Sequence, residues 1–600
     1  MHGSVATIGR AAGAGRALLR PLLAMLAASA ILAGLLTGVT MPGPATRQAG
    51  GTLLPVIVRS LPGSGVGAEL AVQRLGGQVQ RRLGIIDGFS ALLPADRLAA
   101  LRASGGVRAV SPNGRVRLLT SAYDGVDPAS TMSSVVSVTH ANTFWAGGYT
   151  GKGVGVALID SGVAPVEGLA SYGKVVDGPD LSFESQSPDL RYLDTFGHGT
   201  AMAGIIAGKD SAVTTVTATA AATNFMGMAP DAKLISVKVA DQAGATDISQ
   251  ILAAIDWVVQ HRNDPGLNIK VLNLSFGTDG TQAYTLDPLA YAAEVAWRAG
   301  ITVVVAAGNA GVGSARLNNP AYDPFVIAVG AANTYGKTSC TAYLCPVASF
   351  SEAGDGVRNP DFLAPGQSIS SLDVPGGALD TAFPHARQGT RFFRGSGTSQ
   401  ATAVVSGAAA LLAQRFPTAT PDQIKYLLKS GCWSSDAAGD KGTGVSNAST
   451  GIMDLQRTWQ ATTLPSAATA AQPFTRSTGT GSLELSRGST HLVDNNVTLT
   501  GEKDIMGRTF SAGTWAAKAG TTAWSGGTWN GSRWTGDGWS GSRWTSSAWS
   551  GSAWSGTAWS SVTFSGSRWT GSRWTGGSFS GSRWTGSRWT SNNWSSAGWS

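Results

Sequence analysis

A serine set among small residues is the first candidate for chemistry in this sequence. Ser399 lies in the segment 395–403, and the alanine- and valine-rich residues 404–412 that follow predict a buried helix. Backbone N–H groups at the N-terminus of such a helix favour a negative charge that develops beside the serine. A serine hydroxyl is a poor nucleophile unless a base takes its proton. The rest of the chain must therefore supply that base.

A carboxylate, an imidazole and an amide occur in three other segments, each at the end or the start of a predicted element. The apolar strand 154–159 runs into Asp160, which precedes a serine and a glycine. His198 lies in a Gly-His-Gly-Thr sequence that opens a helix of small residues. The apolar strand 301–306 leads to Asn309. Strand carboxyl ends and helix N-termini are the places where α/β proteins gather their functional groups.

Asp160, His198 and Ser399, in this order and in these contexts, resemble the catalytic residues of the subtilisin-type serine peptidases. The resemblance includes Asn309 and extends over roughly residues 130–460. It implies a secreted endopeptidase that cleaves polypeptides through an acyl-enzyme. Ser399 would be the nucleophile, His198 the general base and then acid, and Asp160 the group that orients the imidazole. Asn309, with the backbone N–H of Ser399, would stabilise the oxyanion.

The same resemblance indicates where substrate would bind. Ser275, Phe276 and Gly277 follow a buried strand and are similar to the family's edge strand, which pairs with substrate backbone. Phe276 and the small residues 306–308 predict an apolar pocket for the side chain before the scissile bond. The chain departs from the family at Gln400, where methionine is common after the serine, and we expect activity with altered packing there.

Alternation of apolar strands with amphipathic helices predicts an α/β fold, a parallel sheet flanked by helices, in the peptidase-like residues 130–460. This is also the subtilisin-like fold that the resemblance implies. Strands are expected at 154–159, 233–239, 270–274, 301–306 and 325–330. Helices are expected at 198–208, 246–262, 285–299, 399–414 and 421–430.

Residues 1–46 have the pattern of an export signal. Arg10, Arg16 and Arg20 precede an almost wholly apolar run over 22–39. A positive segment followed by an apolar one is typical of a signal peptide. The run is also about long enough to span a bilayer, so an uncleaved N-terminal membrane anchor is the alternative. The predicted location is therefore secreted, with a cell-surface or membrane-anchored form as the second case.

Residues 52–118 show a small α+β pattern, with three strands and two helices in alternation. The layout, and residues 88–91 above all, resembles the inhibitory propeptide of subtilisin-type enzymes. The resemblance implies that the chain is made as an autoinhibited precursor with its own propeptide as inhibitor, cut between 112 and 130. A small adaptor domain without inhibitory function is the alternative.

The C-terminal part is low in complexity and periodic. Composition predicts a linker with a short hairpin over 461–507. In the tail, 508–600, an aromatic residue recurs every five positions from Trp524 to Trp599. This period predicts a coil whose turn is a multiple of five residues, such as a β-solenoid. A disordered tail and an array that binds carbohydrate or cell wall are the other two interpretations.

The charge distribution and the cysteine content limit which partners, disulfides and metals the sequence predicts. The net charge is +8, but the basic residues are concentrated in 1–120 and 508–600 around an acidic middle, so the charge does not indicate a nucleic-acid partner. Cys340 and Cys345 are close enough in sequence to favour a disulfide in a secreted chain, with two thiols as the alternative. No cofactor or metal ligand set is predicted. Calcium sites are frequent in the family, but the acids of 161–192 lack a convincing ligand spacing.

A second class of function competes with the peptidase. In it, the α/β body is a catalytically idle scaffold that displays the aromatic tail. The presence of all four residue types that the chemistry requires favours the enzyme.

Overall fold

The computed structural model describes residues 53–112, 129–432 and 451–530, and the backbone of short strands between 532 and 595. The predicted signal or anchor in residues 1–46 lies outside these ranges, as does the predicted cleavage region. None of the helices in the described ranges is long and apolar enough to cross a membrane. Gaps within the ranges fall at 62–63, 84–87, 186–189, 312, 314–315, 341–344, 495–496, 506 and 526–527.

The N-terminal part is a four-stranded antiparallel sheet with two helices. Its strand order is β2-β3-β1-β4. Its buried side chains, among them Val58, Val72 and Phe89, form a cluster of their own, separate from the core of the body. The elements are β1 (Leu53–Ser60), α1 (Gly65–Arg74), β2 (Gln78–Leu83), β3 (Gly88–Pro94), α2 (Leu98–Arg102) and β4 (Val107–Pro112).

The body is organised by a seven-stranded sheet in which every neighbouring pair is parallel. Its order is β11-β10-β9-β8-β5-β7-β6. The sheet and its helices confirm the predicted α/β class, and the five expected strands lie within two residues of their predicted ends. The strands are β5 (Gly155–Asp160), β6 (Val175–Asp180), β7 (Lys233–Lys238), β8 (Ile269–Leu274), β9 (Thr302–Ala306), β10 (Ile327–Ala332) and β11 (Phe362–Pro365).

Ten helices and a small antiparallel sheet complete the described body. In the small sheet the strand order is β12-β14-β13. The helices are α3 (Met132–Val138), α4 (Ala141–Ala146), α5 (His198–Ala207), α6 (Ala218–Ala221), α7 (Ile248–His261), α8 (Pro288–Arg298), α9 (Ala378–Ala382), α10 (Thr398–Arg415), α11 (Pro421–Ser430) and α12 (Leu455–Trp459). The strands are β12 (Ile369–Leu372), β13 (Arg387–Gln388) and β14 (Phe392–Gly395).

Local sequence fixes where the long helices begin. The Asp247 side chain accepts from the N–H of Ser249, and Gln250 closes a capping box at the start of α7. Asp287 caps α8 in the same way and is followed by a proline at the first helical position. Helices α5 and α10 consist largely of small residues, pack on each other, and are buried over nearly their whole length.

Residues 461–507, for which composition predicts a linker, lie against the body. The predicted short hairpin is present as β15 (Val493–Asp494) and β16 (Val497–Thr498), after helices α13 (Ala467–Ala470) and α14 (Leu483–Arg487). Arg487 is fully buried and forms an ion pair with the carboxylate of Asp247 at 2.7 Å. This segment is therefore attached through a buried charge pair, which composition alone does not reveal.

The start of the tail also belongs to the body. Helix α15 (Ala512–Ala516) lies on α8, strand β17 (Trp524–Ser525) lies on α7, and strand β18 (Thr528–Trp529) pairs with β17. Trp515 and Trp529 are completely buried, and the indole Nε1 of each donates to Oδ2 of Asp256, at 2.8 and 2.7 Å. The main core therefore contains Trp515 and the first two aromatic residues of the repeat, Trp524 and Trp529.

Further along the tail, short strands pair in parallel at an offset of fifteen residues. Trp539 is paired with Trp554, and the ladder continues through Trp569 to Trp584. Fifteen residues are three of the five-residue periods, so the backbone pairing has the repeat expected of a three-sided coil. That the tail folds as a β-solenoid stays a prediction.

Candidate active site

Asp160 and His198 are brought together by two glycines that touch. Asp160 ends the fully buried strand β5, and His198 begins α5. A Cβ added at Gly199 would lie 2.2 Å from the carbonyl oxygen of Gly162. Any side chain there would separate the helix from the loop after β5, so the small residues around the histidine are required by this backbone contact.

The imidazole and the carboxylate form a buried hydrogen-bonded pair. Nδ1 of His198 lies 2.8 Å from Oδ1 and 3.0 Å from Oδ2 of Asp160. Because a carboxylate only accepts, the proton resides on Nδ1, and Nε2 is left as an acceptor. Burial lowers the pKa of His198, but the charge and hydrogen bond of Asp160 and the charge of Asp194 raise it, and the pKa lies above its ordinary value.

Asp194 is a buried residue of this site that the sequence analysis did not single out. Its Oδ2 accepts from the N–H of Thr200, and its Oδ1 accepts from the N–H of Gly197 and from the hydroxyl of Ser161. The carboxylate therefore fixes both the start of α5 and the residue after Asp160. An acid four positions before the histidine, ahead of a helix of small residues, is a signal for such a helix start.

Ser399 is the second residue of α10 and is completely buried. Its Oγ donates to the carbonyl oxygen of Ser275 at 2.9 Å, and Oγ of Ser275 donates back to the carbonyl oxygen of Ser399 at 3.2 Å. Nε2 of His198 has no hydrogen-bond partner. The structure thus joins the serine to the predicted substrate strand, and the serine–imidazole hydrogen bond that the resemblance implies is not formed. Such bonds commonly tighten only when substrate is bound.

Asn309 is tied to the residue that precedes the serine. Its Oδ1 accepts from both the backbone N–H and the hydroxyl of Thr398, each at 2.9 Å. The Thr398 hydroxyl oxygen also accepts from the N–H of Gly308 at 3.2 Å. Because an N–H donor requires the amide oxygen opposite it, this pairing fixes the orientation of the amide, and Nδ2 is its donor.

The predicted substrate-binding residues follow strand β8. Ser275 is buried, and its hydroxyl oxygen accepts from Nδ2 of Asn273 at 2.8 Å. Phe276 is 4% exposed and belongs to the hydrophobic core of the body. Gly277 has no room for a side chain, because a Cβ there would lie 2.7 Å from Cβ of Asn318. Burial, a side-chain hydrogen bond and a close backbone approach therefore hold the three residues of this segment in place.

Gln400, the residue at which the sequence departs from the family, lines a cavity beside the imidazole. The centre of a water molecule could occupy about 40 Å³ of this cavity, whose wall includes His198, Met202, Leu379 and Phe383. Oε1 of Gln400 is buried in this region without a hydrogen-bond partner. The substitution thus places a polar group, rather than a thioether, next to the histidine.

In the described ranges, no group of three or more His, Cys, Asp or Glu side chains could hold a metal ion. Cys340 and Cys345 form a disulfide, and Cys432 is a buried thiol. The site contains an imidazole bound to a carboxylate, a serine hydroxyl at a helix N-terminus and an oriented amide. This combination defines a serine hydrolase on a parallel α/β sheet.

Comparison with known proteins gives the class. The model of the subtilase family matches residues 151–467, which is more than half of the chain. The chain belongs to the subtilase family and is a serine-type endopeptidase.

Two relatives and one solved structure are similar to parts of this chain. The chain is 36% identical over 311 residues to the serine protease AprX of Bacillus subtilis (strain 168), covering 50% of this chain and 67% of that protein. It is 30% identical over 369 residues to subtilisin E of the same strain, covering 60% and 79%. A solved cold adapted subtilisin-like serine proteinase matches with 27% identity and a TM-score of 0.37, over 51% of this chain and 90% of that one.

Proposed function

We propose that the protein hydrolyses peptide bonds through Asp160, His198 and Ser399, acting as orienting acid, general base and nucleophile. The observation that supports this most is the buried pair of His198 and Asp160. It holds the imidazole with Nδ1 protonated at 2.8 Å and leaves Nε2 unpartnered as an acceptor. An imidazole in this tautomer is the base that a serine hydroxyl needs.

Acylation begins with a change of hydrogen bond at the serine. Oγ of Ser399 leaves the carbonyl oxygen of Ser275, to which it now donates, and donates to Nε2 of His198. Oγ then attacks the scissile carbonyl carbon as its proton passes to Nε2. The tetrahedral intermediate collapses when the imidazolium gives that proton to the leaving amine. Water, activated by the same nitrogen, hydrolyses the acyl-enzyme and restores Ser399.

The oxyanion of both tetrahedral intermediates would be stabilised by two donors. One is Nδ2 of Asn309, whose orientation is supported by the two hydrogen bonds from Thr398 to Oδ1. The other is the backbone N–H of Ser399, at the N-terminus of the eighteen-residue helix α10. Donors fixed before reaction are worth more than mobile ones, because they need no reorganisation as the charge develops.

We infer that the protein is made as a precursor, with an export segment and an inhibitory segment ahead of the peptidase. Residues 52–118 would fold on their own small core and inhibit the peptidase until cleaved, as the family resemblance suggests. Residues 1–46 would direct export, which the similarity to a minor extracellular protease, Epr of Bacillus subtilis (strain 168), supports. The test of the inhibitor is to add the separate 52–118 segment to the active enzyme. We expect inhibition at about one equivalent of the segment per enzyme. No inhibition would favour the alternative, an adaptor domain without inhibitory function.

The peptidase is tested by hydrolysis of a denatured protein after processing is complete. Ser399→Ala should abolish turnover. Ser406→Ala is the matched control, because Ser406 is a buried serine of the same helix whose hydroxyl donates to Oδ1 of Asn273. Activity that survives in Ser399→Ala, or that is lost equally in both variants, would contradict the assignment of the nucleophile.

A further inference from the structure

A buried glutamate lies against the loop that carries Asn309. Glu352 lies between β10 and β11 and is 1% exposed. Its backbone N–H donates to the carbonyl oxygen of Gly308 at 3.1 Å. Its Oε1 accepts from the backbone N–H of Ala310 at 3.2 Å. Glu352 therefore binds the residues on both sides of Asn309.

The carboxyl group and the loop fit each other closely. Gly308 has a φ of +126°, and a Cβ added there would lie 2.2 to 2.3 Å from the carboxyl atoms of Glu352. The loop consequently cannot shift towards the glutamate, and only glycine leaves room for it. On the other side, Thr398 holds Oδ1 of Asn309. Thr398 thus holds the side-chain amide of Asn309, and Glu352 holds the backbone of the residues before and after it.

This carboxyl group is not arranged to stabilise the fold. Burial raises the pKa of Glu352 to about 7, opposed by the backbone N–H groups of Ala310 and Asn318. Among the described residues no charged side chain pairs with it, and its Oε2 is buried without a hydrogen-bond partner. The groups that act on this carboxyl group are the backbone N–H groups of Ala310 and Asn318. A buried carboxylate without a countercharge costs stability, so a neutral side chain would suit the fold better.

We propose that Glu352 is a positioning residue for Asn309, whose carboxylate holds the Ala310 N–H and thereby keeps Nδ2 directed at the oxyanion. The inference rests on the oxyanion role proposed for Asn309. A charged acceptor binds an N–H more strongly than a neutral one. Protonation of Glu352 therefore loosens the loop. Since the oxyanion exists only after attack, the loss falls on kcat and leaves KM nearly unchanged.

The test is Glu352→Gln, which keeps the shape of the side chain and removes its charge. We expect kcat at pH 9 to fall by about tenfold, with KM within twofold and full labelling by an active-site phosphonate. The melting temperature at pH 9 should not fall, because a neutral amide replaces a buried charge. Glu294→Gln is the matched control: Glu294 is equally buried but accepts from Ser477 and Arg298, and we expect lower stability with unchanged kcat.

A double-mutant cycle with Asn309→Ala distinguishes the positioning role proposed for Glu352 from the oxyanion role proposed for Asn309. If Glu352 acts through Asn309, the effect of Glu352→Gln on kcat should shrink to less than twofold in the Asn309→Ala background. Additive effects, or a wild-type kcat in Glu352→Gln, would overturn the role of Glu352 alone. An Asn309→Ala enzyme at the wild-type rate would instead refute the oxyanion assignment.

The wild-type enzyme offers a second test that does not depend on the folding of a variant. The profile of kcat against pH should contain an ionisation near pH 7 besides that of His198, and this ionisation should be absent in Asn309→Ala. A profile with the same ionisations in both enzymes would contradict the proposal.

Discussion

His198 and Asp160 lie 38 positions apart in sequence, and Nδ1 of the histidine is 2.8 Å from Oδ1 of the aspartate. Both side chains are 1% exposed. The pair forms because the first turn of α5 lies directly on the loop after β5, where Gly199 meets Gly162. This relationship fixes the tautomer of the neutral imidazole, with its proton on Nδ1, and it raises the pKa of His198. The first two predictions depend on it.

Asp160→Asn should inactivate the enzyme without unfolding it. An amide in place of the carboxylate can donate to Nδ1, which moves the imidazole proton to Nε2 and removes the base. The expected loss in kcat is about 10⁴-fold, the size of effect that a wrong tautomer causes in serine peptidases. Steady-state hydrolysis of a peptide substrate measures it. The control is Asp264→Asn, at an exposed aspartate. A loss below tenfold in Asp160→Asn would show that another group fixes the tautomer of His198.

The pH dependence of kcat/KM should report the His198 imidazole. Its pKa is raised by Asp160 and Asp194 in spite of burial, and only the neutral form accepts the serine proton. Activity should therefore fall as the pH drops through a midpoint above the ordinary value of 6.5. A profile of kcat/KM from pH 5 to 9 gives the midpoint. A midpoint well below 6.5 would mean that desolvation, rather than the two carboxylates, dominates.

Sequence patterns predicted the middle of the sheet better than its edges. The five strands expected from apolar runs are all present, whereas β6 and β11 were not predicted. These two are the edge strands of the sheet. Strand β6 carries Asp177 and Asp180, with a shift of register between them, and β11 has only four residues. Strand β6 is buried only over its second half, which weakens its apolar signal, whereas β11 is buried throughout but is too short to give an apolar run of its own.

The candidate site, like the sheet, could be predicted from the sequence only in part. The four residues with motif-like surroundings could be chosen from the sequence, because glycines and helix starts mark them. Glu352 could not be chosen in this way, because it binds the backbone of residues 308 and 310, which only the fold brings near. Asp194 has only a local signal, that of an acid four positions before His198 at the start of a helix. The linker predicted over 461–507 has the composition of a loop, and Arg487 finds its partner Asp247 240 positions away.

The buried ion pair of Arg487 and Asp247 should be needed for stability. Arg487→Leu leaves the Asp247 carboxylate buried without its cation, and we expect the free energy of unfolding to fall by about 3 to 5 kcal/mol. Denaturant titration measures the change. Replacement of the exposed Arg191 by leucine should alter stability by no more than about 0.5 kcal/mol. Equal effects of the two changes would show that the 461–507 segment contributes nothing through this contact.

The start of the tail should behave as part of the body. Trp515 and Trp529 fill the core beside α7 and donate to Asp256. A chain that ends at residue 507 loses both, whereas one that ends at residue 530 keeps them. We expect the shorter chain to melt at a markedly lower temperature, and Trp529→Ala in the longer chain to cost about 3 to 5 kcal/mol. Equal melting temperatures of the two truncated chains would contradict the packing of this segment.

The most direct test of the account is covalent labelling of the purified protein by a fluorophosphonate, read by intact mass. We expect one label per chain, on a species cleaved between residues 112 and 130. Ser399→Ala and His198→Ala should both lose the label, and His261→Ala should keep it. A folded, processed protein that takes no label, or a label that persists in Ser399→Ala, would contradict the assignment of Ser399 and His198 as nucleophile and base.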